Sequence, residues 1–328
     1  MTRLSVIIKA KESISNIDEC IDSVCSYMGK DLEVFILAGE KTEDKSDLLL
    51  KYSEKDKRIK IFYENRDELN DNILNHLAGK YTVVLDACDC LEKNSLSKVM
   101  SVIGKSESDI IMFNYSIMHS DKTLKKFKCL FDDMSEFNGI KDEKMMSKII
   151  MPNNFHIFRS VLLRTEFIKN IKLDLHKKNS VTEELESTLY VFDNAETILI
   201  RDINLLVYRV KAYNEVSDFS YDSFNTFAKY YEIQLRYLKK WLAPDSIMSD
   251  VYKYQFIVVS QMFFEAFKLF GNSNDVFSNL KPILKSDWVK GIISNVKSDL
   301  LDDEQKKRLK AFKIGKVRMV WLLYKLNK

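Results

Sequence analysis

The chain lacks the features of disulfide-stabilised secreted domains and of membrane-spanning proteins. Five cysteines in 328 residues are few and odd in number, so we do not expect a disulfide framework. We expect instead that the protein resides in a reducing compartment. The opening apolar run, residues 4–8, is too short for the apolar region of a signal peptide. No stretch approaches the roughly 20 apolar residues that span a bilayer. These absences predict a cytoplasmic protein.

Sequence signals for several cofactors and partners are also missing. No Gly-x-Gly-x-x-Gly follows the first apolar run, which argues against a dinucleotide-binding fold. Cys88 and Cys90 have no second cysteine pair or histidine cluster near them, so a zinc site is not expected. The four histidines are scattered, and only His156 merits inspection as a site residue. A net charge of +3 does not predict a nucleic-acid partner.

What the sequence does contain is a regular alternation of strand and helix signals in its first half. Short apolar runs typical of buried parallel strands occupy 4–8, 32–37, 59–63, 81–85 and 110–115, and helical periodicity occupies 17–27, 45–55, 69–77 and 95–103. This order predicts an α/β fold with a mainly parallel central sheet flanked by helices. Ligands of such sheets bind beyond the C-terminal strand ends, where Leu37, Tyr63 and Asp86 lie.

The pattern changes towards the C-terminus. Residues 119–150 indicate a loop-and-helix connection, 159–168 and 182–192 indicate helices, and 198–200 and 205–209 indicate closing strands. Long helical runs follow at 224–242, 251–270, 279–297 and 302–325, and strand signals vanish. We therefore expect two domains, 1–215 and 216–328, the second an all-helical C-terminal extension.

Several segments resemble family 2 glycosyltransferases in order and spacing. They cover roughly 200 residues and comprise 4–8, 18–24, 31–37, 52–60, 78–86, 162–168 and 183–209. The resemblance implies the A-type glycosyltransferase fold, with a nucleotide-diphosphate sugar at the strand ends and a divalent metal between diphosphate and aspartates. It also implies inversion at the anomeric carbon, with a carboxylate that deprotonates the acceptor hydroxyl.

The donor half departs from the family's pattern. Ala38 and Glu40 stand near the place of the aspartates that hold base and ribose, and the family's Asp-x-Asp becomes Asp86-Ala87-Cys88, followed by Asp89. The resemblance assigns Ala38, Glu40, Asp86 and Asp89 to the donor, and Asp86 and Asp89 to the metal. A neutral thiol at Cys88 is a poor ligand for Mn²⁺ or Mg²⁺, so this degenerate motif makes a metal doubtful. Both aspartates could instead cap the next helix.

Glu183-Glu184 resembles the family's Glu-Asp pair, whose second carboxylate is the base. The resemblance therefore implies that Glu184 is catalytic. Glutamate is one methylene longer than aspartate and would shift the carboxylate by about 1.5 Å, which matters to catalysis. The alternative is an acidic first turn that interacts favourably with the helix dipole.

The C-terminus is strongly basic. Nine Lys and Arg residues follow Gln305 with no acidic residue among them, and Ile314, Val317, Trp321, Leu322 and Tyr324 supply apolar surface. This composition is typical of an interfacial helix, here 305–326, on an anionic membrane. The alternative is a helix packed on its own domain with a solvated basic face.

Two functions follow from the resemblance. The first is a glycosyltransferase, peripheral at the membrane, that moves a sugar from a nucleotide-sugar donor to a glycan, a lipid-linked acceptor or a protein. The second is a catalytically degenerate subunit that binds an acceptor or stabilises an active protein partner. The altered positions Ala38, Asn70 and Cys88 favour the second.

Overall fold

The computed structural model describes residues 2–10, 16–39, 46–63, 69–119, 122–127, 135–151, 159–175, 180–209 and 219–326. The chain forms two compact units, Met1–Ala212 and Tyr213–Lys328. We propose that they correspond to the domains 1–215 and 216–328.

The first half of the N-terminal unit is a parallel sheet. Its strands are β1 (Leu4–Ala10), β2 (Leu32–Ala38), β3 (Ile59–Tyr63) and β4 (Tyr81–Asp86), joined through helices α1 (Ile17–Cys25), α2 (Ser46–Lys55) and α3 (Leu69–His76). β2 is buried along its whole length, as expected of a strand covered on both faces. Lys9 pairs with Asp86, and Ala38 pairs with Tyr63, so these strands end at one edge of the sheet. The predicted parallel arrangement is confirmed.

The second half of the unit completes a mixed sheet. It contains β5 (Cys90–Leu91), α4 (Ser95–Ile103), β6 (Ile110–Met118), β7 (Leu124–Phe127), β8 (Glu136–Phe137), α5 (Glu143–Ile149), β9 (Val161–Arg164), α6 (Thr165–Asn170), α7 (Val181–Asn194) and β10 (Ile198–Arg209). The strand order is β3-β2-β1-β4-β9-β6-β10-β5, with β7 paired to β6 and β8 paired to β10.

The predicted helix 159–168 is wrong in its first half. Val161–Arg164 forms β9, which lies antiparallel between β4 and β6, and α6 begins only at Thr165. A three-residue apolar run such as Val161–Leu163 is compatible with helix or strand, and here hydrogen bonding to strands on both sides makes the segment a strand. The two predicted closing strands are one strand, β10, with register shifts between Arg201 and Leu206.

The described part of the C-terminal unit is helical, as predicted. It comprises α8 (Tyr221–Lys240), α9 (Asp245–Phe270), α10 (Asn274–Leu284), α11 (Asp287–Asn295), α12 (Asp303–Lys313) and α13 (Val317–Leu326). Two long helices that the sequence predicted are each divided. The run 279–297 breaks where Ser286 caps α11, and the run 302–325 breaks at Gly315, whose φ is 69°.

This division changes the interpretation of the basic C-terminus. Val317 and Tyr324 of α13 are buried in the core of the helical unit, where the Tyr324 ring lies 5.4 Å from that of Phe264. Residues 305–326 are therefore not one interfacial helix with a free apolar face. Ile314 and Leu322 stay 52% and 46% exposed. Within the described residues, no helix is both long and apolar enough to cross a bilayer.

Candidate active site

A tight turn follows β4 and carries the two aspartates. The Ala87 N–H donates to the Lys9 carbonyl at 3.0 Å, and the Asp89 N–H donates to the Asp86 carbonyl at 3.0 Å. The turn leaves the Asp86 side chain 22% exposed at the sheet edge and buries Asp89 to 1%. The next helix, α4, has Asn94 at its N-cap, so neither aspartate caps it.

Arg159 brings the predicted carboxylates together. Its Nη1 pairs with Asp86 and lies 3.5 Å from Asp89 Oδ2. Its Nε donates to Glu184 Oε1 at 2.9 Å, and its Nη2 donates to Oε2 at 3.3 Å. The guanidinium lies 4.9 Å from the Tyr208 ring centroid, within cation–π range. Three carboxylates predicted from the sequence thus surround one cation that the sequence analysis missed.

The topology explains this convergence. Since β9 runs antiparallel to β4, the residues just before β9 lie at the edge where β4 ends, and Arg159 stands two positions before Val161. The sequence signal for Arg159 would have been indirect. Three carboxylates that share one partly buried site carry negative charge, and buried charge requires a positively charged partner.

The two adjacent glutamates of α7 have different partners. Ser180 caps the helix, and Glu183 completes a capping box: its Oε2 accepts from the Ser180 backbone N–H at 3.3 Å, and its own N–H donates to the Ser180 hydroxyl oxygen at 3.3 Å. Glu184, one position further, pairs with Arg159 instead. Both glutamates lie in the acidic first turn of α7, and Glu184 belongs in addition to the carboxylate cluster.

Burial dominates the electrostatics of this cluster. It raises the pKa of Asp89 to about 6, although Arg159 and the backbone N–H of Arg209, which donates to Oδ1 at 3.0 Å, oppose that rise. Burial alone would lower the pKa of Arg159, but the charges of Asp86 and Glu184 raise it above its usual value. The guanidinium therefore stays charged. Burial also raises the pKa of Tyr208.

The other predicted site residues are not part of the described carboxylate cluster. Ala38 closes β2 and is 1% exposed, so its methyl group is part of the core. Glu40 and His156 lie outside the described residues, and nothing is described of the Asn70 side chain.

Among the residues that the structure describes, the side chains that could ligate a metal are not arranged to suit Mg²⁺ or Mn²⁺. Asp86, Cys88 and Asp89 each offer one ligand atom, and these atoms lie within 4.8 Å of one another. The Cys88 thiol is 6% exposed and lies 3.8 Å from Asp89 Oδ1, whereas hard divalent ions require several oxygen ligands. Both carboxylates already contact the charged Arg159.

Comparisons with known proteins agree with this architecture. A model of the family described as glycosyl transferase family 2 matches residues 5–167. The glycosyltransferase GlyA of Streptococcus pneumoniae serotype 4 is 19% identical over 220 residues, which cover 64% of this chain and 31% of that protein. The chain thus spans about a third of the length of this curated relative.

Solved structures of low sequence identity show the same fold. The S. aureus fragment TarS 1-349 is 12% identical, and the alignment covers 99% of this chain and 90% of that one at a TM-score of 0.61. The same fragment in complex with UDP is 14% identical over the same shares at a TM-score of 0.58. Residues 5–167 thus match the model of glycosyl transferase family 2, and the likeness to the TarS fragment shows the fold that the two chains share.

Proposed function

We propose that this chain transfers a sugar from a nucleotide-diphosphate donor onto a glycan, a lipid-linked acceptor or a protein. The observation that carries the proposal is the convergence of Asp86, Asp89 and Glu184 at the C-terminal edge of the sheet, where α/β sheets bind ligands. Structures of the related TarS fragment in complex with UDP and with UDP-GlcNAc support a nucleotide-sugar donor. In this assignment the segment that contains Ala38, at the end of β2, and Glu40 binds the nucleoside, as the family resemblance implies.

Glu184 is the proposed base because it is the accessible carboxylate of α7 in the cluster. Its side chain is 26% exposed, whereas Asp89 is 1% exposed and cannot reach an incoming hydroxyl. The acceptor oxygen forms a bond to the anomeric carbon as its proton passes to Glu184. The bond from that carbon to the diphosphate oxygen breaks, and its electron pair leaves with the diphosphate. Attack from the face opposite the leaving group inverts the anomeric centre.

The proposal predicts a specific loss in Glu184→Gln. We expect the full-length protein to release UDP or GDP from one of a panel of UDP- and GDP-sugars when candidate glycans are added. The substitution should lower kcat by about a hundredfold or more, because it removes a general base, and should not weaken donor binding. Coupled nucleotide-release kinetics and calorimetry measure the two quantities.

Glu183→Gln is the matched control. Glutamine at this position keeps the capping box with Ser180, and Glu183 makes no contact with Arg159 among the described residues. Equal turnover by the two variants would contradict the base role of Glu184. Absence of any nucleotide binding by the wild-type protein would contradict the proposed donor class.

A degenerate, non-transferring subunit is the second candidate. The specific observation in its favour is that Arg159 occupies Asp86 and Glu184 at once while Cys88 supplies a thiol in place of a carboxylate. This function predicts nucleotide or glycan binding without turnover in the presence of every donor and acceptor tested.

The exposed side chains of α12 and α13 also suggest a membrane contact through 305–326. Lys310, Lys313 and Lys316 are exposed around the turn that carries the exposed Ile314, and Leu322 is exposed on α13. A basic surface with interspersed apolar side chains matches the chemistry of an anionic leaflet. A lipid-linked acceptor would suit this location.

A further inference from the structure

We infer that Arg159 supplies the positive charge that binds the donor diphosphate, in place of a divalent metal. The inference rests on the proposed function, since it concerns how the same site holds its donor. It explains why the degenerate motif at Asp86-Ala87-Cys88 coexists with a well-formed carboxylate cluster.

The first support is the position of the guanidinium. It lies against Asp86 and Asp89, the two side chains that the family resemblance assigns to a metal ion. A metal that joined these carboxylates would need the space and the carboxylate oxygens that Arg159 now uses. The site therefore already contains a cation, fixed to the chain.

The second support is the number of hydrogen-bond donors. A guanidinium has five N–H groups in a planar arrangement that suits phosphate oxygens. Four hydrogen bonds reach Asp86, Asp89 and Glu184, and the fifth N–H has no acceptor in the part of the chain that the structure describes. The side chain keeps 20% of its surface exposed, so an external anion can reach it.

The third support is how the guanidinium is held. Glu184 binds it through two parallel hydrogen bonds, and the Tyr208 ring stacks on it at 4.9 Å. These contacts fix the plane of the group before any ligand arrives, which lowers the entropic cost of binding an anion. They also make Asp86 and Glu184 competitors of the diphosphate for the same donors.

This competition distinguishes an arginine site from a metal site, because Asp86→Asn changes the affinity for the diphosphate in opposite directions in the two cases. If a metal binds the diphosphate, Asp86→Asn removes a ligand and weakens binding. If Arg159 binds it, Asp86→Asn removes a competing negative charge and strengthens binding. Inorganic pyrophosphate is a suitable probe because it lacks the ribose that Asp86 could also contact.

The experiment is calorimetry on the full-length protein with UDP, GDP and inorganic pyrophosphate, in the presence of chelator and in the presence of Mn²⁺. We expect at least one nucleotide to bind with the same Kd in both conditions. Arg159→Ala should weaken that binding by about tenfold to a hundredfold, as for the loss of a charge-assisted hydrogen bond. Asp86→Asn should tighten pyrophosphate binding about threefold or more, as expected for a charge removed next to the bound anion.

Two further variants guard against misfolding and non-specific charge effects. Arg159→Lys keeps the charge but not the planar donor set, and we expect it to bind more weakly than wild type and more tightly than Arg159→Ala. Arg3→Ala removes a guanidinium whose partner is Asp31, at the opposite edge of the sheet, and should leave binding unchanged.

The outcomes are distinct. Binding that requires Mn²⁺ and is lost in Asp86→Asn would overturn the inference and leave the proposed function intact. Unchanged affinity in a folded Arg159→Ala would also overturn it. If no nucleotide binds wild-type protein in either condition, the proposed function fails and the inference fails with it.

Discussion

The burial of Asp89 predicts how the stability of the N-terminal unit depends on pH. Asp89 is 1% exposed, and burial raises its pKa from a usual value of 3.8 to about 6. Asp89→Asn keeps an oxygen that can accept from the Arg209 N–H but removes the ionisable group. The difference in unfolding free energy between this variant and wild type should therefore depend on pH.

The sign and size of this dependence follow from proton linkage. Between pH 3.8 and about 6 the folded state holds a proton that the unfolded state releases, so wild-type stability falls as pH rises through this window. A pKa difference of about 2 units corresponds to about 3 kcal/mol in total. About half of it falls between about pH 5 and about pH 7.5. Asp89→Asn should thus gain about 1.5 kcal/mol on wild type over that interval.

Urea denaturation followed by far-ultraviolet circular dichroism at these two pH values measures the change. Trp241, Trp288 and Trp321 are the chain's three tryptophans, and all lie in the C-terminal unit. Tryptophan fluorescence therefore follows the unfolding of the C-terminal unit separately. A difference between the two proteins that does not change with pH would refute the buried, high-pKa state of Asp89.

Two further predictions concern other charged groups. Hydrogen bonds from Arg58 lower the pKa of Asp56 to about 2, so Asp56→Asn should lose about 1 kcal/mol at neutral pH after allowance for solvent screening. This contribution of Asp56 to stability is present above pH 3.8 and disappears as the pH falls through about 2. The melting temperatures of variant and wild type should therefore converge in acid. A difference in melting temperature that stays constant would contradict the ion-pair origin. The protein should also sediment with phosphatidylserine vesicles at low salt but not with phosphatidylcholine vesicles. Combined alanine substitution of Lys310, Lys313 and Lys316 should reduce the fraction that sediments. An unchanged fraction would exclude this surface as the membrane contact.

The sequence predicted the parallel half of the sheet well because each strand there is a short, mostly apolar run bounded by polar residues. It did not predict β9, because Val161–Arg164 is too short for periodicity to separate strand from helix. The break at Ser286 was missed because the apolar residues of α10 and α11 follow one another without a glycine or proline at the junction. Helix ends are set there by capping and packing, which periodicity does not detect.

The sequence predicted the carboxylates of the candidate site but not the arginine, Arg159, that they surround. Asp86, Asp89 and Glu184 could be assigned because the resemblance supplies a motif for each. Arg159 has no motif, and its role depends on the antiparallel pairing of β9, a contact between residues far apart in the sequence. A tertiary pairing of this kind leaves no local pattern that periodicity or spacing can reveal.

The separation of these residues along the chain affects the order in which the molecule can fold. The hydrogen bond from Arg209 to Asp89 joins residues 120 positions apart, and the ion pair of Arg159 with Asp86 joins residues 73 apart. Contacts of such length form slowly, because the loop-closure entropy is lost before the contact stabilises the chain. The cluster of Asp86, Asp89 and Glu184 around Arg159 should therefore be among the last parts of the N-terminal unit to form during refolding. Its formation should lag behind recovery of helical structure, and a nascent chain that ends before Glu184 cannot have the complete cluster.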